Sequence, residues 1–277
     1  MELLAPAGNW PAFLAAVENG ADAVYLGGAH FSARQSADNF SNEEIARALD
    51  YAHLRGRKIY VAVNTLIRDD EFDSALQFIY QIYKLGIDAV IIQDIGLLNA
   101  VRQLLPDLKL HASTQMTIHN TDAISLVKKI GVKRVVLARE MTCGEILNLC
   151  QNHNDIEIEV FVHGAMCFSY SGQCLFSSIV GGRSGNRGRC AQPCRQSYEL
   201  MGSSNQRYNT RGNYLLSPSD LSLIDYLTDL KAAGVESLKI EGRMKRAEYV
   251  AIVTRVFREA RDNLDEKVPI ISKNKWR

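Results

Sequence analysis

Four cysteines, Cys167, Cys174, Cys190 and Cys194, are the residues of this 277-residue chain whose type and spacing point most directly to chemistry. They form the pattern C-x6-C-x15-C-x3-C within one segment. Four thiolates on one loop can enclose a tetrahedral zinc ion or a [4Fe-4S] cluster, because both accept all-cysteine ligation. Spacing alone does not separate the two. Zinc ribbons favour paired C-x2-C knuckles, and their absence favours the cluster, with zinc as the alternative. Free cysteines are also commonly small buried hydrophobes. That packing role is the one we assign to Cys143 and Cys150, which fall on a predicted helix.

The cysteine segment is unusual in charge as well. From Val160 to Tyr198 there is no Asp, Glu or Lys, while Arg183, Arg187, Arg189 and Arg195 occur with six glycines. Such a cationic, backbone-exposed stretch suits phosphate contact, so Arg187, Arg189 and Arg195 are candidate RNA-binding residues. Surface arginines in a loop more often simply meet solvent. The absence of any compensating acid favours phosphate. No long helical period runs through about 165–213, and irregular loops beyond about 15 residues in a compact domain are usually functional or disordered. Its cysteine, aliphatic and aromatic content argues against disorder.

The elements that must position this loop can be read from a recurring unit, in which a helical pattern stops at a glycine and a β-branched run follows. Gly20, Gly56, Gly86, Gly131 and Gly234 each begin such a junction. A glycine there fits the left-handed position that ends a helix, and the run behind it fits a buried parallel strand. Asn9 and the Ser41/Glu44 capping box mark helix starts. Strands are expected at Glu2 to Pro6, Ala23 to Gly27, Ile59 to Asn64, Ala89 to Gln93, Lys109 to Ser113, Arg134 to Arg139, Ile156 to His163 and Ser237 to Glu241. Eight strands, each followed by a helical segment, predict an α/β fold of the (β/α)8 TIM-barrel type, with the cysteine loop after the seventh strand. An open doubly wound sheet is the alternative, and no glycine-rich dinucleotide fingerprint follows the first strand to support it.

Alternation places side chains on this frame. In the seventh strand Glu157, Glu159, Phe161 and His163 share one face, and Ile158, Val160 and Val162 the other. The apolar face would meet helices, so Glu159 and His163 are expected inside the barrel, as are His111, Lys239 and Glu241. These five are candidate acid and base groups. Inward charges can equally form a buried network that satisfies only itself, and an inward histidine can be hydrogen-bonded core. Arg34, Arg139 and Arg243 follow strand ends, where a barrel places its active site, and each could grip a carboxylate by a bidentate pair.

Composition sets outer bounds. Hydrophobic residues are 47% and charged residues 23%, as in an ordinary soluble domain, and a net charge of +1 makes any nucleic-acid signal a local one. The first residues lack a basic, apolar leader, and no apolar run approaches 18 residues. A cytoplasmic protein with no membrane partner is expected, and cysteines in that reducing compartment are thiols or metal ligands.

At these residues the sequence resembles the collagenase-like family of peptidases of unknown catalytic type, family 32. The signature reads Glu159-x-Phe161-x-x-Gly164-Ala165-Met166-Cys167-x4-Gly172-x-Cys174-x-Phe176-Ser177, with Phe176 where the family prefers an aliphatic residue. Further matches are Leu4-Ala5-Pro6-Ala7-Gly8, Tyr25-Leu26-Gly27-Gly28, His111-Ala112-Ser113-Thr114-Gln115, Arg187-Gly188-Arg189-Cys190-Ala191-Gln192-Pro193-Cys194-Arg195 and Lys239-Ile240-Glu241-Gly242-Arg243-Met244-Lys245. The resemblance implies a barrel protein with an oxygen-labile [4Fe-4S] cluster on four cysteines. It further implies hydroxylation of RNA pyrimidines, in tRNA or rRNA, without molecular oxygen and with prephenate as a possible co-substrate. In some branches the fourth ligand lies near Ser222, on the helix after the loop. This chain has serine there, so Cys194 takes that role.

Many relatives continue into a C-terminal domain. Residues 1–265 are therefore expected to form the barrel, and 266–277 a tail that begins a missing domain, with a partner protein as another route to docking RNA. The family's older name implies a peptidase instead, for which Cys167 with His163 is the available nucleophile and base; no H-E-x-x-H or G-x-S-x-G motif is present. A noncatalytic cluster-binding scaffold is the third possibility.

Overall fold

The computed structural model describes residues 1–264, so the expected tail at 266–277 lies outside the described residues. Its strands are β1 (Glu2–Pro6), β2 (Ala23–Gly27), β3 (Lys58–Val63), β4 (Ala89–Ile92), β5 (Leu110–Ala112), β6 (Arg134–Val136), β7 (Glu157–Gly164), β8 (Leu221–Ser222) and β9 (Ser237–Ile240). Eight of these are parallel neighbours in the order β1 to β7 and then β9, which returns to β1. The β6–β7 pairing closes the cylinder and rules out the open sheet. The (β/α)8 barrel expected from the repeating unit is therefore the fold.

Helices α1 (Trp10–Glu18), α2 (Asn42–His53), α3 (Phe72–Lys84), α4 (Ile95–Leu104), α5 (Thr121–Lys129), α6 (Cys143–Asn152), α7 (Phe176–Gly181), α8 (Leu227–Ala233) and α9 (Ala247–Asp262) complete it. Local chemistry starts and stops them as the sequence predicts. Asn9 accepts the Ala12 N–H at 3.1 Å, and Ser41 and Glu44 exchange hydrogen bonds at 3.2 and 2.9 Å. Gly131 and Gly234 end their helices at φ values of 93° and 92°, a conformation in which a side chain would be strained.

The core has two shells. Outward residues such as Leu3, Val24, Ile59, Val90 and Leu238 pack under the helices, and Leu4, Tyr25, Tyr60 and Ile91 fill the barrel interior. Interior polar groups at the closed end form one network. Arg134 reaches Glu2 at 2.5 Å and Glu159 at 3.1 Å, Lys239 reaches Glu159 at 2.8 Å, and Tyr60 donates to Glu2 at 2.8 Å.

Two departures from the expected pattern concern β7. A register shift between Phe161 and His163 pairs Phe161 with Lys239 but His163 with Ile240, an outward residue. This bulge reverses the alternation, so His163 is not inside the barrel. It sits instead under α9, with ring centroids 5.9 Å from Tyr249 and 5.5 Å from Phe257. The second departure is β8, where the returning loop pairs antiparallel with the end of β7, His163 facing Ser222. Ser222 is thus a strand residue rather than a helical one. No helix among the described residues is long and apolar enough to cross a membrane.

Candidate active site at the barrel mouth

The excursion from Ala165 to Asp220 lies across the C-terminal ends of the strands, the face on which this fold builds its sites. Named contacts hold it there. Arg187 donates to the Leu66 carbonyl at 2.6 Å and to Glu71 at 2.5 Å. Ser171 donates twice to Glu140, at 2.6 Å each, and Gln173 donates to the Gln115 carbonyl at 2.8 Å. Gly188 meets the loop after β2 so closely that a Cβ would lie 2.1 Å from the Ser32 carbonyl oxygen, and its φ is +74°. Only glycine permits that approach. Arg195 donates to the carbonyls of Met166 at 2.5 Å and Pro218 at 2.8 Å, joining the two ends of the excursion.

These contacts assign the arginine run a different role from the expected one. Arg187 and Arg195 are committed to holding the loop, and of the three candidate phosphate ligands Arg189 alone stands exposed, its guanidinium without a partner among the described residues. Charge counting along the sequence does not see backbone carbonyls as acceptors.

Beneath the loop is a cavity of about 540 Å³, and Cys167, Cys174, Cys190 and Cys194 all line it. None is in a disulfide. Burial raises the Cys194 thiol, and the charges of Cys167, Cys190 and Cys174 add to the effect, so the four groups share one electrostatic neighbourhood. Cys174 and Cys190 accept N–H bonds from Phe176 and Gln192, both at 3.4 Å, which fixes the position of each sulfur. Among the described residues, no three of His, Cys, Asp or Glu are arranged around a single metal ion. A lone zinc needs its sulfurs within about 2.3 Å of one centre, whereas a cube presents four separate iron atoms and accepts a wider spread. The donor set fits a cluster in chemistry and in its shared cavity, and Gly185, whose Cβ would stand 3.6 Å from Cys190 Cβ, leaves room beside it.

The opposite wall is cationic. Arg34, Arg139, Lys239 and Arg243 line the cavity with one carboxylate, Glu241. Burial would raise the Glu241 carboxyl, but Arg34, then Arg139, Arg243 and Lys239, overcome it and hold the group below the usual carboxylate range. Arg34 stands 3.4 Å from it. Arg139 and Arg243 have no carboxylate in ion-pair contact among the described residues, and the Nε of each is buried without a partner. Burial lowers Arg243 to about 10, and Gly27 makes room for it, because a Cβ there would lie 2.8 Å from Arg243 Nη1. An anion between Arg139 and Arg243 would satisfy both.

The remaining candidates are placed deeper. Glu159 is wholly buried and held by Lys239, Arg134 and Ser237, with no part in the cavity wall. His111 packs edge-on to Tyr60 at 4.8 Å, and burial, then Arg134, keeps it far below the ordinary histidine value and neutral. His163 makes no hydrogen bond with Cys167, and the thiol–imidazole pair a cysteine peptidase needs is not formed. Asn64, Ser113, Thr114 and Gln115 line the cavity and were not among the sequence candidates. The available signal was position: Asn64 follows β3, and Ser113, Thr114 and Gln115 follow β5, at strand ends where a barrel places its site.

A closed parallel barrel with a four-cysteine loop across its mouth defines the class of protein. The chain belongs to peptidase family U32, whose model matches residues 8–277. It is 40% identical over 273 residues to the Bacillus subtilis "tRNA hydroxylation protein P1", covering 94% of this chain and 63% of that protein. It is 41% identical over 267 residues to the Escherichia coli "23S rRNA 5-hydroxycytidine C2501 synthase", covering 96% of this chain and 40% of that one. The chain thus spans less than two thirds of both relatives. The solved U32 peptidase Mk0906 superposes with a TM-score of 0.56 at 12% identity, covering 87% of this chain and 93% of that one, and shows the shared fold.

Proposed function

We propose that this chain is a cytoplasmic iron–sulfur protein that hydroxylates pyrimidines of tRNA or rRNA without molecular oxygen, with prephenate as co-substrate. The observation that carries this reading is convergence: the four cysteines of one loop line the same cavity as Arg34, Arg139 and Arg243, which come from distant parts of the chain. The names of the two relatives, one a tRNA and one an rRNA hydroxylation protein, support RNA as the substrate class.

Cys167, Cys174, Cys190 and Cys194 would hold a [4Fe-4S] cluster, which would supply a one-electron redox centre when bound. Replacing a ring C–H by C–OH takes two electrons from the base and adds one oxygen. Without O2, both demands fall on a co-substrate, the role we assign to prephenate. Arg139 and Arg243 would clamp its carboxylates, and Arg34 and Glu241 would orient it. Glu241, held ionised by the arginines, would be the group that accepts a proton at the cavity wall. The loop covers the cavity above, and Lys239 and Phe161 form the floor.

Nucleoside mass spectrometry of RNA from a deletion strain, complemented with wild type or with Cys174→Ala, tests this. The hydroxylated pyrimidine should vanish on deletion, return with wild type and stay absent with the variant. Unchanged nucleosides on deletion would contradict the reading.

A further inference from the structure

Two side-chain amides on the cavity wall take no part in the contacts described so far. Gln115, in the 3-10 turn Thr114–Met116 that follows β5, is only 8% exposed, and its Oε1 is buried with no partner. Its main-chain oxygen is already fixed by Gln173 at 2.8 Å, so the turn is anchored while the amide is not. Asn64, just beyond β3, is the converse. Its Oδ1 accepts the Ala33 N–H at 3.0 Å, which fixes the amide orientation and leaves Nδ2 as a donor. One amide is locked and the other can turn.

An enzyme that reacts with a base must take it out of its stack, and a stacked base could not pass beneath the excursion over this cavity. We infer that Asn64 and Gln115 read the hydrogen-bonding edge of an extruded pyrimidine in this cavity, an inference that rests on the RNA reading above. Asn64 Nδ2 donates to a base carbonyl. Gln115 pairs with the exocyclic 4-position, accepting from the amino group of cytosine or, turned over, donating to the oxygen of uracil. A buried acceptor without a partner is costly, and the base relieves that cost. Phe161 is not free to stack, because Arg139 lies 5.3 Å and Lys239 5.5 Å from its ring centroid. Phe168, which lines the same cavity yet is 60% exposed, is the ring placed to receive the base at the rim. One pocket therefore accepts both pyrimidines, and the neighbouring RNA decides which is presented.

Fluorescence anisotropy with short single-stranded RNAs carrying a central cytidine, uridine or abasic site tests the pocket. Wild type should hold the two pyrimidine strands with similar affinity, and roughly tenfold to a hundredfold more tightly than the abasic strand. Asn64→Asp keeps the acceptor for Ala33 but removes the donor, and should erase most of that preference. Gln115→Glu keeps only acceptors, and should retain cytidine while rejecting uridine, a selectivity that a merely structural role would not produce. Equal affinity for abasic and pyrimidine strands, or Gln115→Glu changing both bases alike, overturns the inference. Base selectivity in a protein that leaves RNA nucleosides unchanged would keep the pocket and sink the reaction. Hydroxylation without selectivity would do the reverse.

Discussion

Lys239 Nζ, at the floor of the cavity, lies 2.8 Å from Glu159 Oε1 beneath it, with both side chains almost wholly withdrawn from solvent. Burial would raise the Glu159 carboxyl, yet Lys239 and then Arg134 bring it below the usual 4.5. Removing one member leaves an uncompensated buried charge. Glu159→Gln should therefore cost about 3–5 kcal/mol in urea unfolding. Because the folded value is depressed, the contribution is full above pH 4.5 and lost as pH falls through the lowered value, so acid unfolding of the variant should be shallower.

At the mouth, Arg139 and Arg243 have buried donors without partners. Arg139→Gln should weaken prephenate binding, measured by titration calorimetry, by about 1.5–3 kcal/mol, roughly tenfold to a hundredfold. Iron content should not change. Equal affinity in the variant would remove the arginine clamp from the account.

His163 is separated from the cavity by the β7 bulge. Burial lowers it from 6.5, so the unfolded chain takes up a proton more readily. Its contribution is full above pH 6.5 and is lost as pH falls below that value. His163→Phe, placed against Tyr249 and Phe257, should flatten the pH dependence of the unfolding midpoint between about pH 7 and pH 5 while leaving turnover intact. Lost turnover in a folded variant would restore a catalytic imidazole.

Arg195 and Arg189 should part company. Arg195→Ala frees the carbonyls of Met166 and Pro218 and should reduce iron retained per chain. Arg189→Ala should leave iron intact, weaken RNA binding and lower the salt slope of that binding by about one. Identical effects in the two variants would contradict their separate roles.

The barrel was legible because several units carry local signals, as where the Asn120 cap, the helix Thr121–Lys129 and Gly131 lead into the apolar run of β6. The cysteine set was legible as a spacing pattern. What alternation could not reveal was the bulge after Phe161, since the extra residue leaves no mark in residue type and reverses His163. Composition likewise could not show that Arg187 and Arg195 find carbonyl and carboxylate partners in the fold. Gln115 was missed because His111, more reactive by type, drew the assignment although it is buried within β5 and does not line the cavity.

Iron and acid-labile sulfide analysis of anaerobically purified protein is the most direct test that Cys167, Cys174, Cys190 and Cys194 hold one cluster. The account predicts about four iron and four sulfide per chain, falling sharply in Cys174→Ala. A single zinc per chain, or free thiols in a protein that still hydroxylates RNA, would contradict it.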